Sequence, residues 1–352
     1  MTNWRRILAG GWLAGVLAAC GASERAPTAS DPCHVHLRPG ADDALALQSA
    51  LLGAAPGSVI CLDAGTYRMA DGLSVGVPGL TIRGTGEGAI LDFSSQRGRA
   101  PGLEIAGDDV TVERLELRDA RGAAVRVMGA DNVRIASVRM SWTRPDDELD
   151  DGVALYGASN TLLRDVEARG ASGFGIRVVD AVRTVIDGAS LAENAAGIWI
   201  EGGADVEVTG TEIRGNRAGI VLSTNAAGEG ERAKIHGNLI EGAQGGEGKE
   251  GFAGLGLAVV GPFSAEIHDN LIRANDGAGL FALRGDGDAD RFFLTVHGNR
   301  FVGNGSGTAP DRDLLIDAEV RGAVCVRANE GVTTETEFET SCPGTTLPPL
   351  SL

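Results

Sequence analysis

Gly152-Val153-Ala154-Leu155, Gly175-Ile176-Arg177-Val178, Gly197-Ile198-Trp199-Ile200 and Gly219-Ile220-Val221-Leu222 are four copies of one phrase, glycine followed by apolar-x-apolar. The glycines lie 23, 22 and 22 residues apart. Self-similarity at a fixed period of about 20–50 residues is the signature of a solenoid, whose repeats bury their apolar faces only by stacking on one another. The phrase continues upstream as Gly102-Leu103-Glu104-Ile105 and Ala124-Val125-Arg126-Val127. Downstream it continues as Gly256-Leu257-Ala258-Val259 and Gly279-Leu280-Phe281-Ala282. Two intervals are longer, 28 residues from Val125 to Val153 and 37 from Ile220 to Leu257, and read as coils carrying loop insertions.

Each phrase is followed by a second alternating run, such as Val110-Thr111-Val112, Val133-Arg134-Ile135 or Val206-Glu207-Val208. Strict alternation over short runs, in Val, Ile, Leu and Thr with Gly, Asn and Asp at the breaks, predicts half-buried strands. One segment reads as a helix, Asp42 to Leu52, ahead of the first coil. A third recurrence, Leu191-x-x-Asn194, Ile213-x-x-Asn216, Ile272-x-x-Asn275 and Phe301-x-x-Asn304, puts asparagine at one coil position. Stacked asparagines can hydrogen-bond along the stack, and asparagine tolerates the left-handed backbone of a tight turn. Together these features predict an all-β chain, a right-handed single-stranded parallel β-helix of about ten coils with a short capping helix and about 4.8 Å between coils. The 53 glycines fit its frequent turns.

The ends read differently. Arg5 and Arg6 precede the apolar run Ile7 to Ala18, a secretory signal too short to span a membrane. It closes with Leu17-Ala18-Ala19-Cys20-Gly21, which resembles a bacterial lipobox. That resemblance implies cleavage before Cys20, lipid attachment there and, with Gly21 following, sorting to an outer membrane; an ordinary signal with a chance cysteine is the alternative. The expected organisation is a signal peptide over 1–19 and a lipidated tether over 20–32. An N-terminal cap over 33–56, a β-helix over 57–330 and a C-terminal cap or tail over 331–352 follow. Cys33 and Cys61 flank one end and Cys325 and Cys342 the other. An even count in an exported chain suggests disulfides, and sequence alone allows three pairings. Local pairing is favoured because the two groups sit at opposite ends of a rod.

The formal charge is −17, and loss of the signal would remove two arginines and no acidic residue. Such a surface disfavours nucleic acid and anionic membranes, so the expected membrane contact is the N-terminal lipid alone. It also argues against polyuronates unless a local basic strip or a cation intervenes.

Pro56-Gly57-Ser58-Val59-Ile60-Cys61-Leu62-Asp63-Ala64-Gly65-Thr66-Tyr67 and the preceding Leu47-Gln48-Ser49-Ala50-Leu51 resemble the start of pectin-lyase-like right-handed β-helices. Ile90-Leu91-Asp92-Phe93-Ser94, Ser141-Trp142, Tyr156-Gly157 and the tail from Cys342 to Leu350 are similar to bacterial β-helix repeat proteins, many of them lipoproteins without a settled function. The resemblance covers nearly the whole mature chain and implies the fold. Relatives on this fold include pectate lyases, polygalacturonases and mannuronan C5-epimerases, but their signatures do not transfer. The epimerase-type Asp-Pro-His-Asp stretch is missing, since Tyr156-Gly157 runs into Ala158-Ser159-Asn160. No aspartate column matches a polygalacturonase site, and Val179-Asp180-Ala181 stands where that β-helix family has a polar turn.

If Ile176 and Val178 point inward, Arg177 and Val179 point outward. One outward column is then Glu104, Arg126, Ala154, Arg177, Trp199, Val221, Ala258 and Phe281, and the neighbouring one holds Tyr156 and Glu201. Tyr156, Arg177, Trp199 and Glu201 thus fall on three successive coils. Aromatic rings beside a guanidinium and a carboxylate suit an acidic sugar, because arginine can hold a carboxylate through two parallel hydrogen bonds. They are the expected polysaccharide-binding residues, and Arg177 and Glu201 the catalytic candidates; a solvated face with chance aromatics is the plainer reading. Asp146, Asp147, Glu148, Asp150 and Asp151 form an acidic insertion that can hold Ca²⁺, a cation that prefers oxygen ligands, or simply be solvated. Asp286, Asp288 and Asp290 resemble the start of a calcium loop, yet Arg291 and His297 stand where an EF-hand needs Gly and Glu. His236, His268 and His297 share a register, but a straight stack is poor geometry for tetrahedral chelation. The expected function is an envelope lipoprotein that binds a polysaccharide. The rivals are a uronan lyase or C5-epimerase using the same face, and an adhesin-like rod.

Overall fold

A computed structural model describes residues 33–332, apart from 87, 144–149, 226–231, 246–250, 262, 284–291, 306–312 and 317–323. The chain divides into two units, Met1–Pro32 and Cys33–Leu352, and only the second contains described residues. The signal and lipidation site expected around Cys20 therefore lie outside the described residues.

The unit is a parallel β-solenoid with three short strands in most coils. The glycine phrases form one sheet of ten parallel strands, from Leu73–Val75 to Leu314–Ile316. The other two strand columns merge into one 20-stranded sheet. They merge because Thr111–Arg118 and Arg134–Ser141 run unbroken round the corner that divides the columns elsewhere. At that corner one residue per coil takes left-handed backbone, for example Arg114 (φ 57°), Ser137 (φ 53°), Asp165 (φ 50°) and Asp269 (φ 55°). A single such residue turns the chain without adding length, so the coils stay in register.

Steric fit explains the recurring glycine. A Cβ on Gly197 would lie 2.6 Å from Ile213 Cγ2 and 2.9 Å from the carbonyl oxygen of Gly219 in the next coil. The phrase marks the point where each coil presses its backbone against its neighbour. The apolar residues beside it, Ile176, Val178, Ile198, Ile200, Ile220 and Leu222, are fully buried in one continuous core.

Two asparagine ladders run through the turns. Asn194 Nδ2 donates to Asn216 Oδ1 (3.0 Å) and Asn275 Nδ2 to Asn304 Oδ1 (2.8 Å), as the sequence pattern predicts. Ala243 interrupts this column, and only its backbone N–H reaches Asn275 Oδ1, at 2.9 Å. The second ladder, not expected from sequence, links Asn238, Asn270, Asn299 and Asn329 through Nδ2–Oδ1 bonds of 2.9, 2.8 and 3.0 Å.

The capping helix runs Asp43–Gly53, one residue later than expected, and lays Leu47 and Leu51 over the first coil. Asp43 is a buried bracket rather than a helix-surface residue. Its carboxylate accepts from Gly40 N (2.6 Å) and Arg68 N (2.8 Å). Cys33 and Cys61 are joined by a disulfide, the local pairing that the rod shape favoured. Cys325 is also disulfide-bonded, and Cys342 lies outside the described residues. Among the described residues no helix is long and apolar enough to cross a membrane.

Candidate functional site

The outer face of the ten-stranded sheet carries the expected column. Strand register aligns Glu104 with Arg126, Arg126 with Ala154, Ala154 with Arg177, and Arg177 with Trp199. The neighbouring register places Tyr156 beside Val179, and Val179 beside Glu201. Alternation alone aims these side chains outward, since Val153, Leu155, Ile176 and Val178 fill the core.

A cleft of about 410 Å³ opens on this face, lined by Arg99, Arg126, Met128, Asp151, Tyr156 and Arg177 with Gly122 and Ala123. The Arg177 guanidinium sits 5.7 Å from the Tyr156 ring centroid and 5.4 Å from that of Phe174. Both faces suit a cation. Its Nη2 lies 3.6 Å from Glu201 Oε2, and Arg126 Nη1 lies 3.5 Å from Glu104 Oε2. These separations are long for a hydrogen bond, so both guanidiniums keep unused donor capacity. Arg177 Nε is buried and makes no hydrogen bond. A guanidinium with free donors between two ring faces suits Arg177 to holding an anion.

Tyr156, Arg177 and Glu201 come together as expected, but Trp199 does not join them as an open platform. Its indole stacks on Phe174 (centroids 5.1 Å apart) and meets Phe252 edge-on at 5.6 Å. With Leu255 and Phe281 these rings cover Ala196, Ala218, Val221 and Ala258, a second apolar cluster on the outside of the solenoid. Strand alternation shows which side of a sheet a residue faces, not what an inserted loop lays over it. Arg99 and Phe252, both carried by loops, escaped the sequence pattern for that reason. Arg126 stood in the outward column and was legible there.

Two of the five carboxylates of the acidic insertion, Asp150 and Asp151, are described. Asp150 Oδ1 accepts from Arg99 Nη2 (3.0 Å) and Gly122 N (2.6 Å), and Asp151 Oδ1 accepts from Phe174 N (2.8 Å). These two buried carboxylates therefore serve protein donors, Asp151 in the lining of the cleft and Asp150 behind it, and they are not the solvated alternative that their sequence suggests. Asp146, Asp147, Glu148, Asp286, Asp288 and Asp290 lie outside the described residues. Among the described residues no group of three or more acidic, histidine or cysteine side chains is arranged to hold a metal. Burial pushes the Asp151 carboxyl above its ordinary range; the charge of Asp150 adds to the effect, while the Phe174 amide, Arg177 and Arg126 oppose it.

The histidines form the expected column, with ring centroids 4.8 and 5.0 Å apart and planes 3° from parallel. Each is tied to a carboxylate: His236 to Glu207 (2.7 Å), His268 to Asp269 (2.8 Å) and His297 to Glu266 (3.2 Å). Equivalent nitrogens of stacked rings at this spacing cannot converge on one ion at about 2 Å. A larger cleft, about 850 Å³, lies along the corner of the 20-stranded sheet between Thr85, Arg114, Arg139 and Glu167. Its Arg139 is engaged by Glu167 at 2.6 Å, and no aromatic ring lines it. The smaller cleft is the stronger candidate because arginines, an aromatic ring and a perturbed carboxyl converge there.

The sequence matches the family described as right handed beta helix region over residues 78–240 and 151–311. No curated protein matches it. Among solved structures, the chain is similar to an alginate lyase from Paenibacillus sp. str. FPU-7, with 18% identity, 82% of this chain and 98% of that chain covered, and a TM-score of 0.53. It is also similar to the catalytic domain of a GH87 alpha-1,3-glucanase in complex with nigerose, at 13% identity, 86% and 70% coverage and TM-score 0.55. The enzymatically active domain of bacteriophage CBA120 tailspike protein 2 gives 10% identity, 84% and 47% coverage and TM-score 0.59. At these identities the likeness is one of fold.

Proposed function

The chain belongs to the right-handed β-helix family, and we propose that it binds an acidic polysaccharide in the cleft formed by Arg99, Arg126 and Arg177. The observation that carries this reading is the gathering of three arginines in one cleft of a chain whose net charge is −17. The acidic surface alone would repel a polyuronate; against that repulsion the cleft offers three guanidiniums, each with a carboxylate neighbour, two of them loosely held. Arg126 and Arg177 hold their carboxylate partners loosely, so a sugar carboxylate can replace them with shorter, paired contacts. Tyr156 supplies an apolar ring face beside them for the C–H face of a sugar. The polysaccharide activities named for the alginate lyase and the glucanase accord with a carbohydrate ligand. The cleft residues carry the argument. Lipid attached at Cys20 would hold the rod at the cell envelope, where such polymers occur.

A proton-transfer enzyme, lyase or epimerase, is the second reading. It is favoured by Asp151, a buried carboxyl with a raised titration range in the cleft that holds Tyr156. The deciding experiment titrates the full chain with alginate, polygalacturonate and neutral dextran while following ultraviolet absorbance for unsaturated uronate. Binding of the acidic polymers alone, weakened in Arg177→Ala and without absorbance change, is the expected result. Equal affinity for dextran would overturn the acidic-ligand reading, and growing absorbance would replace binding with lyase action.

A further inference from the structure

The outer face of the ten-stranded sheet changes character at one coil. Up to Phe174–Val179 its central column shows Glu104, Arg126, Ala154 and Arg177. The side chains of Glu104, Arg126 and Arg177 are 40%, 30% and 27% exposed. Beyond that coil the same column shows Trp199, Val221, Ala258 and Phe281. Val221 and Ala258 have no exposed surface, although strand alternation points them away from the core; Ala154, between the Arg126 and Arg177 side chains, has none either, so what lies on each residue is the distinguishing feature. Outward residues are buried only when something lies on them. Over Val221 and Ala258 that is the segment carrying Phe252 and Leu255, inserted where the repeat lengthens between Ile220 and Leu257.

The cover begins where the cleft stops. Arg177 faces Phe174, Phe174 stacks on Trp199, and Trp199 meets Phe252 at ring distances of 5.4, 5.1 and 5.6 Å. These contacts set a wall of packed rings across the central column at one end of the charged cleft, while Val179, Glu201 and Ser223 in the neighbouring column stay partly exposed. Coils are spaced by about 4.8 Å, close to the rise of one sugar along an extended glycan. A glycan lying along the column meets Glu104, Arg126 and Arg177 on the way in. It then reaches the packed rings of Phe174, Trp199 and Phe252.

We propose that this wall makes the cleft blind at one end, so that it takes the terminal sugars of an acidic glycan and does not thread the middle of a chain. The inference rests on the acidic-polysaccharide reading and adds the form of the ligand. Every bound terminus places its last ring against Arg177 and Phe174, and the rest of the chain leaves over Arg126 and Glu104. Internal segments of a long polymer have no exit past Trp199.

The test is isothermal titration of the full chain with alginate and polygalacturonate fractions graded by length. A blind cleft binds one protein per glycan chain at every length, with the same affinity per chain. An open groove binds more protein as the chain lengthens, in proportion to the sugars available. Phe252→Gly removes the ring that closes the wall and should convert the first behaviour into the second; its melting curve checks folding, and the parent's length series decides the matter alone if the variant does not fold. Stoichiometry rising with length in the parent overturns the blind cleft and leaves polysaccharide binding standing. Absence of binding to both glycans at all lengths overturns the binding reading, and this inference with it.

Discussion

The indole of Trp199 stacks on the ring of Phe174 outside the solenoid, with centroids 5.1 Å apart and planes 27° apart. Phe252 then closes on the same indole. Trp199 is therefore a packing residue of an external apolar cluster before it is anything else. Truncation to alanine removes contacts to both rings and leaves a space beneath the inserted segment. Trp199→Ala should destabilise the chain by about 2 kcal/mol, less than a fully buried tryptophan would because one side stays partly exposed. Trp199→Phe should recover most of the loss. Urea unfolding of both variants measures this. An unchanged midpoint in Trp199→Ala together with lost glycan binding would restore the indole as a sugar platform.

The solenoid was legible because its cause is repeated. Each coil presses a glycine against the next coil, as Gly197 presses on Gly219, and each buries two apolar residues beside it, so one steric rule is written along the chain many times. The outward column was legible for the same reason, and Arg126, Tyr156, Arg177 and Glu201 stand where alternation puts them. What covers that column is written once, in non-repeating insertions. Nothing in the spacing of Phe252 or Arg99 says which coil they fold over. Asp150 and Asp151 misled in the opposite sense, because an acidic run reads as solvated unless backbone donors such as Gly122 N and Phe174 N are known to meet it.

Arg177 should separate acidic from neutral ligands. Its guanidinium has a loosely held carboxylate partner and two ring faces that fix its plane. Removing it takes away a charge-assisted, paired contact to a sugar carboxylate. Arg177→Ala should weaken acidic-glycan binding by about tenfold or more, and Arg177→Lys should recover only part, because an ammonium cannot make the planar pair. Titration calorimetry at low and raised salt checks both. Full affinity in Arg177→Lys would show that charge alone is read.

Asp151 makes stability depend on pH with a defined sign. Burial, the largest cause, raises its carboxyl titration above the ordinary range, so the folded chain holds this proton more tightly than the unfolded chain does. Between the two titrations the native state binds more protons. The contribution is complete below the unfolded value and is lost as pH rises through the folded one. Asp151→Asn keeps an acceptor for Phe174 N and removes the proton. The variant should melt higher than the parent near neutral pH, with the advantage shrinking to nothing in acid. Thermal melts across that range test it, and parallel curves would show that Asp151 does not titrate differently in the folded chain.

Asn270 holds the centre of the second ladder and should be its most costly position. Its Oδ1 accepts from Asn238 N (3.0 Å) and Asn238 Nδ2 (2.9 Å). Its Nδ2 donates to Asn299 Oδ1 (2.8 Å) and to the carbonyl of Ile235 (2.8 Å), all away from water. Alanine there strands donors above and acceptors below, and an unmade bond to a buried group costs about 1–3 kcal/mol. Asn270→Ala should therefore lose about 3 kcal/mol or more. Asn329, at the partly buried end of the same ladder, accepts from Asn299 N and Nδ2 and donates to the Val296 carbonyl, but water can reach these groups, so Asn329→Ala should lose about 1 kcal/mol. Asn270→Asp should fare no better than alanine, because a carboxylate replaces the acceptor but not the donors, and places a charge in the turn. Urea unfolding of the three variants ranks them. Equal losses at Asn270 and Asn329 would mean that the ladder acts as independent pairs, without the added weight of a buried network at its centre.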